Sequence, residues 1–392
     1  CTGNEGGKKL AKKASPQPVK AGATYNIEIT GLGHSGEGVG RYQDFTVFVP
    51  GALPGELVTA QITEVKKNYA KGRLLTVDRP SSDRVNPPCG IYDRCGGCQL
   101  QHLSYPAQLA AKRQRVIDAL TRIGKLDNVI VHPTLGAENP WHYRNKMQFP
   151  VGTAGSEVVI GCFAQGTHQI IDTDNCLIQA EANNTIARTV RGIIKDLGIS
   201  TYDELTGQGL VRHVLGRVGT ATGEVMVVLV TNGRALPKKE EIINRLREGI
   251  PHLASVVQNV NTKKTNVILG EETILLWGKE TITDRLGDFI FNISALSFFQ
   301  VNTKQAEVLY NKAVEYANLT GQETVIDAYC GTGTISLFLA KKAKKVYGIE
   351  VVEAAIRDAE RNAADNNVNN VEFIVGDAVE VMPRLFKAGI RP

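Results

Sequence analysis

The sequence has no uninterrupted apolar run near the roughly 18 residues that a membrane-spanning helix requires, so we expect no membrane-spanning segment. Cysteine is scarce as well, with seven residues in 392, an odd number that is spread unevenly. A small disulfide-stabilised secreted scaffold would contain many more. We therefore expect a cytoplasmic protein, in which clustered thiols more often hold a metal than a disulfide. With 42% hydrophobic and 22% charged residues, the chain is long enough to form several globular domains.

Most of the chain has almost no net charge of either sign. The formal net charge is +5, and residues 1–24 carry most of it, because five lysines there face a single glutamate. We expect this segment to be a disordered basic tail. The rest is close to neutral, so an argument for nucleic-acid binding has to come from local patches.

Residues 25–78 show short alternating runs separated by glycine and proline, such as YNIEITGLG and FTVFVP. Several such runs in so short a stretch predict a small β-barrel of the oligonucleotide-binding type. The stretch KKNYAKGR surrounds Tyr69 with four cations, which are Lys66, Lys67, Lys71 and Arg73. Lysine-rich turns are common on any surface, but the aromatic residue among them favours a contact with RNA.

Residues 79–286 predict an α+β domain built on a largely antiparallel sheet. Strand-like runs such as KMQFPV and EVMVVLVTN dominate this region, and three stretches with helical spacing interrupt them. Four cations on or beside these runs are candidate phosphate contacts, namely Arg144, Lys146, Arg212 and Arg217. Strand arginines are often merely solvated, so the pattern alone decides little.

The central region begins with CGIYDRCGGCQLQH, which places Cys89, Cys95 and Cys98 close together. Three thiolates need a fourth ligand, for which Cys162 and Cys176 are available. Structural zinc usually draws on two close pairs, and a second pair is missing, whereas iron–sulfur clusters accept one remote cysteine. A redox pair of the thioredoxin type fits less well, because CGGC does not open a helix in a strand–helix–strand setting. The spacing therefore favours an inorganic centre.

Residues 287–392 switch to strands that alternate with helices. The runs TVIDAYC, KVYGIE and VEFIVGD predict three strands, and the runs between them have helical spacing. This alternation predicts an α/β, Rossmann-like parallel sheet whose ligand lies at the carboxyl ends of the strands.

The predicted strand ends carry the residues of a nucleoside site. Asp327 lies at the end of the first strand. Gly331 and Gly333 form a turn in which the backbone can approach a ligand closely, because no side chain blocks it. Glu350 ends the second strand, where a carboxylate can accept hydrogen bonds from both ribose hydroxyls, and Asp377 ends the third, near the level of an adenine amino group. The phosphate-binding motifs are incomplete, which favours S-adenosylmethionine over a dinucleotide. The alternative is that these acids only cap helices.

Together these motifs resemble the RNA uracil-5-methyltransferase family in its ribosomal RNA branch, which combines a TRAM barrel, a central iron–sulfur domain and a methyltransferase domain. The resemblance implies that the segment SFFQVN contacts the cofactor through Gln300, and that DAYCGTGT does so through Tyr329 and Thr334. Glu350 matches the ribose-binding acid of the family. The resemblance also implies the ligands of a [4Fe–4S] cluster, which are Cys89, Cys95, Cys98 and, in HQIIDTDNC, Cys176.

The function implied by the resemblance is methyl transfer from S-adenosylmethionine to C5 of a uridine in 23S ribosomal RNA, with the base unstacked into the pocket. In the family, a cysteine thiolate adds to C6 and a general base later removes the C5 proton. Both residues follow an Asp-Pro-Pro-Arg-type loop that residues 1–392 do not contain, and Cys330 belongs to the cofactor turn. We therefore expect a fragment that lacks its catalytic residues, from a protein that acts as a monomer.

Three alternatives remain at this stage. A transfer RNA uracil-5-methyltransferase is disfavoured by the barrel and the cysteine trio, which the ribosomal branch carries. A noncatalytic RNA-binding iron–sulfur protein would explain the missing nucleophile. Radical S-adenosylmethionine chemistry would need a different cysteine spacing. In the preferred interpretation, the cluster has a structural or RNA-positioning role.

Overall fold

The structure, a computed structural model, describes residues 17–392. The expected basic tail lies mostly outside the described residues. The chain forms two compact units, and the first comprises the residues up to Tyr92 together with Cys98–Leu135. The second comprises Asp93–Gly97 and Gly136–Pro392. The finer domain boundaries drawn from the sequence stay predictions.

The first unit contains the small barrel that the alternating runs predict. Its five strands close in the order β1-β2-β3-β5-β4. The strands are β1 (Thr24–Leu32), β2 (Gly38–Tyr42), β3 (Phe45–Val49), β4 (Leu57–Val65) and β5 (Tyr69–Arg79). Val58, Ala60 and Ile62, alternate residues of β4, are buried in the barrel core, which is the period of a strand with one apolar face.

One helix, α1 (Tyr105–Asp118), follows in the first unit. It begins at Ser104, whose hydroxyl accepts a hydrogen bond from the Ala107 N–H, and a proline occupies its first turn, where no backbone donor is needed. A short π-helical turn, Ala119–Ile123, continues it. No residue of α1 is buried.

The second unit is organised around a seven-stranded sheet in the order β12-β11-β10-β9-β6-β7-β8. Its strands are β6 (Lys146–Ala154), β7 (Glu157–Phe163), β8 (Ile170–Asp172), β9 (Val211–Val218), β10 (Val225–Thr231), β11 (Leu253–Val260) and β12 (Glu272–Gly278). Only β10 and β11 run parallel within this sheet. The largely antiparallel sheet predicted from the sequence is therefore present.

Helices cover one face of this sheet, and the hairpin that follows it in sequence packs on the other. The covering helices are α2 (Glu181–Leu197) and α3 (Lys239–Gly249). On the opposite face, Leu215 and Met226 of the sheet share a core with Phe291 and Phe299 from the hairpin β13 (Ile282–Leu286) and β14 (Phe289–Ile293) and the segment that follows it. The sheet and the hairpin therefore belong to one continuous apolar core.

The C-terminal part is the predicted α/β domain, with a parallel sheet in the order β15-β16-β17. Its strands are β15 (Thr324–Asp327), β16 (Lys345–Glu350) and β17 (Val371–Val375). Its helices are α4 (Thr303–Ala317), α5 (Thr334–Ala340), α6 (Glu353–Asp365) and α7 (Ala378–Lys387). None of the helices in residues 17–392 is both long and apolar enough to cross a membrane.

Candidate functional site

The carboxyl ends of the parallel strands bring two predicted acids to one edge of the sheet. Asp327 is the last residue of β15 and pairs in register with Gly348 of β16. Glu350 is the last residue of β16, two positions further along. Parallel pairing places these ends side by side, so the strand-end acids meet beside the turn that follows β15.

The turn uses its two glycines in different ways. Both adopt left-handed conformations, with φ of 54° at Gly331 and 77° at Gly333. A Cβ atom at Gly333 would lie 2.8 Å from Cζ of Phe373, so this glycine permits tight packing beneath the turn. A Cβ at Gly331 would meet no atom within 4 Å. The Gly331 side of the turn is therefore open to a ligand.

The two acids differ in their surroundings. Glu350 accepts a hydrogen bond from the Gly331 N–H at 3.2 Å and from the Val352 N–H at 3.0 Å. Asp327 accepts one from the Ser336 hydroxyl at 2.6 Å. Burial raises the pKa of Asp327, and the nearby Glu350 carboxylate raises it further. Asp327 thus anchors α5 below the turn, while Glu350 lies at its open side.

The segment SFFQVN lies against the same turn. The Thr332 hydroxyl donates to the carbonyl of Phe298 at 3.4 Å, which joins the turn to the segment that carries Gln300. The residues Phe298 and Tyr329 are 69% and 78% exposed. Two exposed aromatic residues so close to a glycine turn offer stacking surfaces for planar ligands.

Thr334 and Asp377 have structural partners. Thr334 is the first residue of α5, and its hydroxyl makes a 3.1 Å hydrogen bond with the Tyr310 hydroxyl. Asp377 caps α7, because its carboxylate accepts from the Val379 N–H at 2.9 Å. Capping alone explains an acid at this position. The predicted cofactor contacts of both residues stay predictions.

Cys330 lies inside the turn and is only 4% exposed. Burial, assisted by the charges of Asp327 and Glu350, raises the pKa of its thiol to about 12. Because the thiolate is the nucleophilic form of cysteine, this residue is unsuited to nucleophilic attack at neutral pH.

The prediction that Arg212 contacts phosphate is wrong, because this side chain is 5% exposed. Its guanidinium donates to the carbonyls of Asn261 at 2.7 Å and Lys263 at 2.9 Å, and it stacks over the ring of Tyr202. Arg212 therefore holds the loop after β11 in place.

The prediction for Arg217 is wrong for the same reason, since it is 3% exposed. Its guanidinium donates to the carbonyls of Ala295 and Ser297, just before Gln300. Burial lowers its pKa to about 10. The sequence pattern of a charged residue on a strand did not distinguish a solvated arginine from one that satisfies buried carbonyls.

Arg144 and Lys146, by contrast, remain partly exposed. Lys146 lies directly opposite Arg217 in the pairing of β6 with β9. Burial, together with the positive charges of Arg217 and Arg144, lowers the pKa of Lys146 to about 8. No ion pair to a carboxylate is formed by these three cations within residues 17–392. Like charges at this spacing repel, so the cluster suits an external anion.

The barrel cations are partly neutralised. Lys66 and Lys71 both pair with Glu64, which lies just before the basic stretch, at N–O distances of 2.5 and 3.1 Å. Arg73 donates to Gln61 at 2.8 Å. The Tyr69 ring, counted as a stacking candidate, packs edge-on against Phe48. The basic patch is therefore weaker than the sequence indicated.

The structure places the Cys162 thiol beside the Cys95 thiol. A hydrogen bond with Cys162 lowers the pKa of Cys95 to about 6, although burial opposes the shift. The Gly96 N–H donates to the Phe163 carbonyl at 2.9 Å, which fixes the CGGC loop to β7. In the described part of the chain, no three His, Cys, Asp or Glu side chains are grouped to hold a metal ion. The cluster implied by Cys89, Cys95, Cys98 and Cys176 is not shown and stays a prediction.

Sequence reasoning missed the residues that connect the segment SFFQVN to its surroundings. Asn145 donates to the carbonyl of Gln300 across 155 positions of sequence, and no local pattern signals such a pair. Phe298 and Phe299 are adjacent, yet only Phe298 is exposed.

Comparison with known proteins agrees with this architecture. Residues 18–75 match the TRAM domain family, and residues 319–389 match a methyltransferase domain family. An uncharacterized RNA methyltransferase of Clostridium tetani is 53% identical over 374 residues, which cover 95% of this chain and 81% of that protein. Another from Halalkalibacterium halodurans is 51% identical, with coverage of 95% and 82%.

Among solved structures, the tRNA (uracil-54, C5)-methyltransferase of Pyrococcus abyssi, in complex with S-adenosyl-L-homocysteine, is similar over most of its length. The TM-score is 0.72 at 29% identity, and the match covers 90% of this chain and 80% of that one. The sequence relatives carry the assignment of the family, and the structural match supports the fold. This chain, with its TRAM domain and its methyltransferase domain, therefore belongs to the RNA methyltransferase family of these relatives.

Proposed function

We propose that the protein transfers a methyl group from S-adenosylmethionine to C5 of a uridine in RNA. The observation that carries this proposal is the position of Glu350, whose carboxylate joins the end of β16 to the open side of the glycine turn. A carboxylate at this place can accept hydrogen bonds from both hydroxyls of a ribose. The uracil-5 position is supported by the similar enzyme from Pyrococcus abyssi, which its name describes as a uracil C5-methyltransferase.

The cofactor would occupy the edge formed by the turn and the strand ends. Glu350 binds the ribose, and Gly331 allows the close approach of the ligand to the backbone. Tyr329 offers an exposed ring beside this position. The full proposed contact set is Gln300, Tyr329, Gly331, Gly333, Thr334, Glu350 and Asp377.

The reaction needs an activated uracil, because C5 of the free base is a poor nucleophile. Addition of a cysteine thiolate to C6 would create electron density at C5, which would take the methyl group of S-adenosylmethionine as the methyl–sulfur bond breaks and S-adenosylhomocysteine leaves. A base removes the C5 proton, and the C6–S bond breaks to release the thiolate. In the overall reaction, the uracil gains one methyl group and loses the C5 proton. None of residues 1–392 is assigned as nucleophile or base, and the buried Cys330 thiol does not suit the role.

The RNA would reach this site across β6. Arg144 and Lys146 form a cation cluster that pairs with no carboxylate of residues 17–392, which suits a phosphate-binding surface. The target base has to be unstacked, and the exposed rings of Phe298 and Tyr329 can stack against planar groups in the pocket. The TRAM barrel would add backbone contacts through Lys67 and its neighbours.

Two RNA classes are candidates for the substrate. We favour 23S ribosomal RNA, because the barrel and the cysteine trio together resemble the ribosomal branch of the uracil-5-methyltransferases. Transfer RNA is the second candidate, because the similar structure from Pyrococcus abyssi is a tRNA methyltransferase.

We further propose a [4Fe–4S] cluster held by Cys89, Cys95, Cys98 and Cys176. The proposal is supported by donor chemistry only, since thiolates are the usual ligands of such clusters. The contact of Cys95 with Cys162 makes Cys162 the rival ligand. Iron and sulfide analysis of anaerobically purified protein tests the cluster, and one zinc without iron would contradict it. Iron content of the Cys162→Ser and Cys176→Ser variants decides between the two remote thiols.

The methyl transfer is tested with the complete protein and S-adenosylmethionine that carries a labelled methyl group. Ribosomal RNA and transfer RNA from cells that lack the gene serve as parallel substrates, and nucleosides are identified by mass spectrometry. We expect 5-methyluridine in 23S ribosomal RNA. Label in transfer RNA alone would transfer the assignment to the second candidate. Label on a different base or position would contradict the proposal.

A further inference from the structure

The segment that carries Gln300 is held by the central sheet rather than by the methyltransferase strands alone. The Asn145 side-chain amide donates to the Gln300 carbonyl at 2.9 Å, and the Asn145 backbone N–H donates to the Val301 carbonyl at 2.9 Å. Arg217 holds the carbonyls of Ala295 and Ser297 a few residues earlier. Asn145, the residue directly before β6, thus contacts the Gln300 peptide and the peptide that follows it.

Asn145 has little freedom to adopt another orientation. It is 6% exposed, and its amide also donates to the Thr303 hydroxyl at 2.8 Å. That hydroxyl in turn contacts the buried Asp284 carboxylate at 3.3 Å and the Thr220 hydroxyl at 3.0 Å. Each hydrogen of the Asn145 amide therefore has an acceptor, and one of the two, the Thr303 hydroxyl, is itself hydrogen-bonded to the buried Asp284 carboxylate.

Only a short side chain with two donors satisfies both acceptors. Aspartate has the same shape, but its carboxylate would direct an oxygen at the Gln300 carbonyl. Alanine would leave the carbonyl and the hydroxyl without this partner, so the Gln300 peptide would lose its side-chain anchor and keep only the backbone hydrogen bond at Val301. The identity of the residue is therefore dictated by its two acceptors, one of which belongs to Gln300.

We propose that Asn145 is a positioning residue, which fixes the Gln300 peptide so that the Gln300 side chain meets the bound cofactor. This inference rests on the proposed function, because it requires that Gln300 contacts S-adenosylmethionine. Asn145 itself touches neither cofactor nor base. Asn145 should therefore affect cofactor affinity only when the Gln300 side chain is present. A general structural role would not depend on Gln300 in this way.

The test is a double-mutant cycle on the full chain, with S-adenosylhomocysteine affinity measured by calorimetry. We expect Asn145→Ala to weaken binding about tenfold when Gln300 is present, as the loss of an aligned contact predicts. In the Gln300→Ala background, the same substitution should change the affinity less than about twofold. A tenfold loss in both backgrounds, or no loss in either, would overturn the proposal.

Asn259 provides a matched control. It is also buried, and its side-chain amide donates to the carbonyls of Gly270 at 2.9 Å and Glu272 at 3.1 Å, in another part of the same sheet. Asn259→Ala should destabilise the protein without changing the affinity for S-adenosylhomocysteine. Equal losses of affinity from the two alanine variants would show that Asn145 acts only through stability, against the proposal.

Asn145→Asp covers the case in which the alanine variant does not fold, because it keeps the volume of the side chain. We expect this variant to lose at least as much affinity for S-adenosylhomocysteine as Asn145→Ala does. Wild-type affinity in Asn145→Asp would overturn the proposal. Wild-type protein that binds S-adenosylhomocysteine but methylates no uridine would contradict the proposed reaction and leave the Asn145 result valid. Wild-type protein that does not bind S-adenosylhomocysteine would overturn both.

Discussion

The Gly331 N–H donates to one carboxylate oxygen of Glu350 at 3.2 Å, while the other oxygen accepts from the Val352 N–H at 3.0 Å. These two hydrogen bonds fix the carboxylate at the open side of the glycine turn. Each oxygen keeps a further lone pair for a ligand. The carboxylate is therefore oriented before any cofactor arrives, which reduces the ordering cost of binding.

Replacement of Glu350 by alanine should weaken S-adenosylhomocysteine binding at least about tenfold, because hydrogen bonds from ribose hydroxyls to a charged acceptor are lost. Calorimetry measures the change. Glu353→Ala is the control, since Glu353 lies three residues further along, on α6, and pairs with Arg357 at 2.8 Å on the surface. The control should bind within about twofold of wild type. Unchanged affinity in Glu350→Ala would remove this residue from the site.

Lys146 should make RNA affinity depend on pH between 7 and 9. Its pKa of about 8 means that the ammonium form predominates at pH 7 and the neutral amine at pH 9. Only the charged form attracts phosphate, so RNA binding should weaken as the pH rises. We expect about a fivefold loss, the size of one phosphate contact, in anisotropy titrations of a labelled 23S ribosomal RNA fragment at constant salt.

Lys146→Arg separates this effect from other titrations, because arginine keeps its charge throughout this range. The variant should bind RNA with little change between pH 7 and 9. If wild type and variant lose affinity in parallel, another group is responsible and Lys146 is not a phosphate contact.

The parts of the site that the sequence predicts are those that local rules determine. A parallel sheet places successive strand ends at one edge, so Asp327 and Glu350 could be brought together from the alternation of strands and helices. Glycine is required where φ is positive, which made the turn at Gly331 recognisable. The fold class followed from the same periodicities.

The parts that the sequence does not predict depend on contacts between distant residues. Asn145 and Arg217 both hold the segment before α4, but neither lies near it in sequence. The sequence alone predicts that Arg217 is an exposed strand residue, because it does not show the distant carbonyls that accept its hydrogen bonds. Cys162 is an equally ordinary strand residue whose position beside Cys95 depends on how the CGGC loop lies against β7.

The Cys330 thiol should make stability fall at high pH. Its pKa is about 12 in the folded protein against an ordinary value of 9.0. Between these values the unfolded chain loses the proton and the folded protein keeps it, so the free energy of unfolding decreases as pH rises. The slope from this group approaches about 1.4 kcal/mol per pH unit. Urea unfolding at pH 8, 9 and 10 should show a shallower decrease for Cys330→Ala, and identical slopes would contradict the assignment.

A partly buried ion pair joins Glu56 of the TRAM barrel to Arg84, which follows the last barrel strand. The Arg84 guanidinium contacts the two carboxylate oxygens at 2.6 and 2.8 Å, and the Glu56 side chain is fully buried. Burial raises the pKa of Glu56, but the hydrogen bonds from Arg84 and from the N–H groups of Leu53 and Ser81 outweigh it, so the pKa is lowered. The stabilisation from this group is therefore present above the unfolded pKa and is lost as the pH falls through the folded one.

Arg84→Met should destabilise the barrel by about 3 kcal/mol at pH 7, because it leaves a buried carboxylate without its counter-ion. Hydrogen exchange of the buried Val47 and Val58 amides in the full chain reports on the barrel alone. Arg79→Met is the matched control, since the Arg79–Glu28 pair of the same barrel spans 3.2 Å at the surface. An exposed pair of this kind contributes less than about 1 kcal/mol. Equal changes in the two variants would mean that burial of Glu56 does not determine the strength of its ion pair.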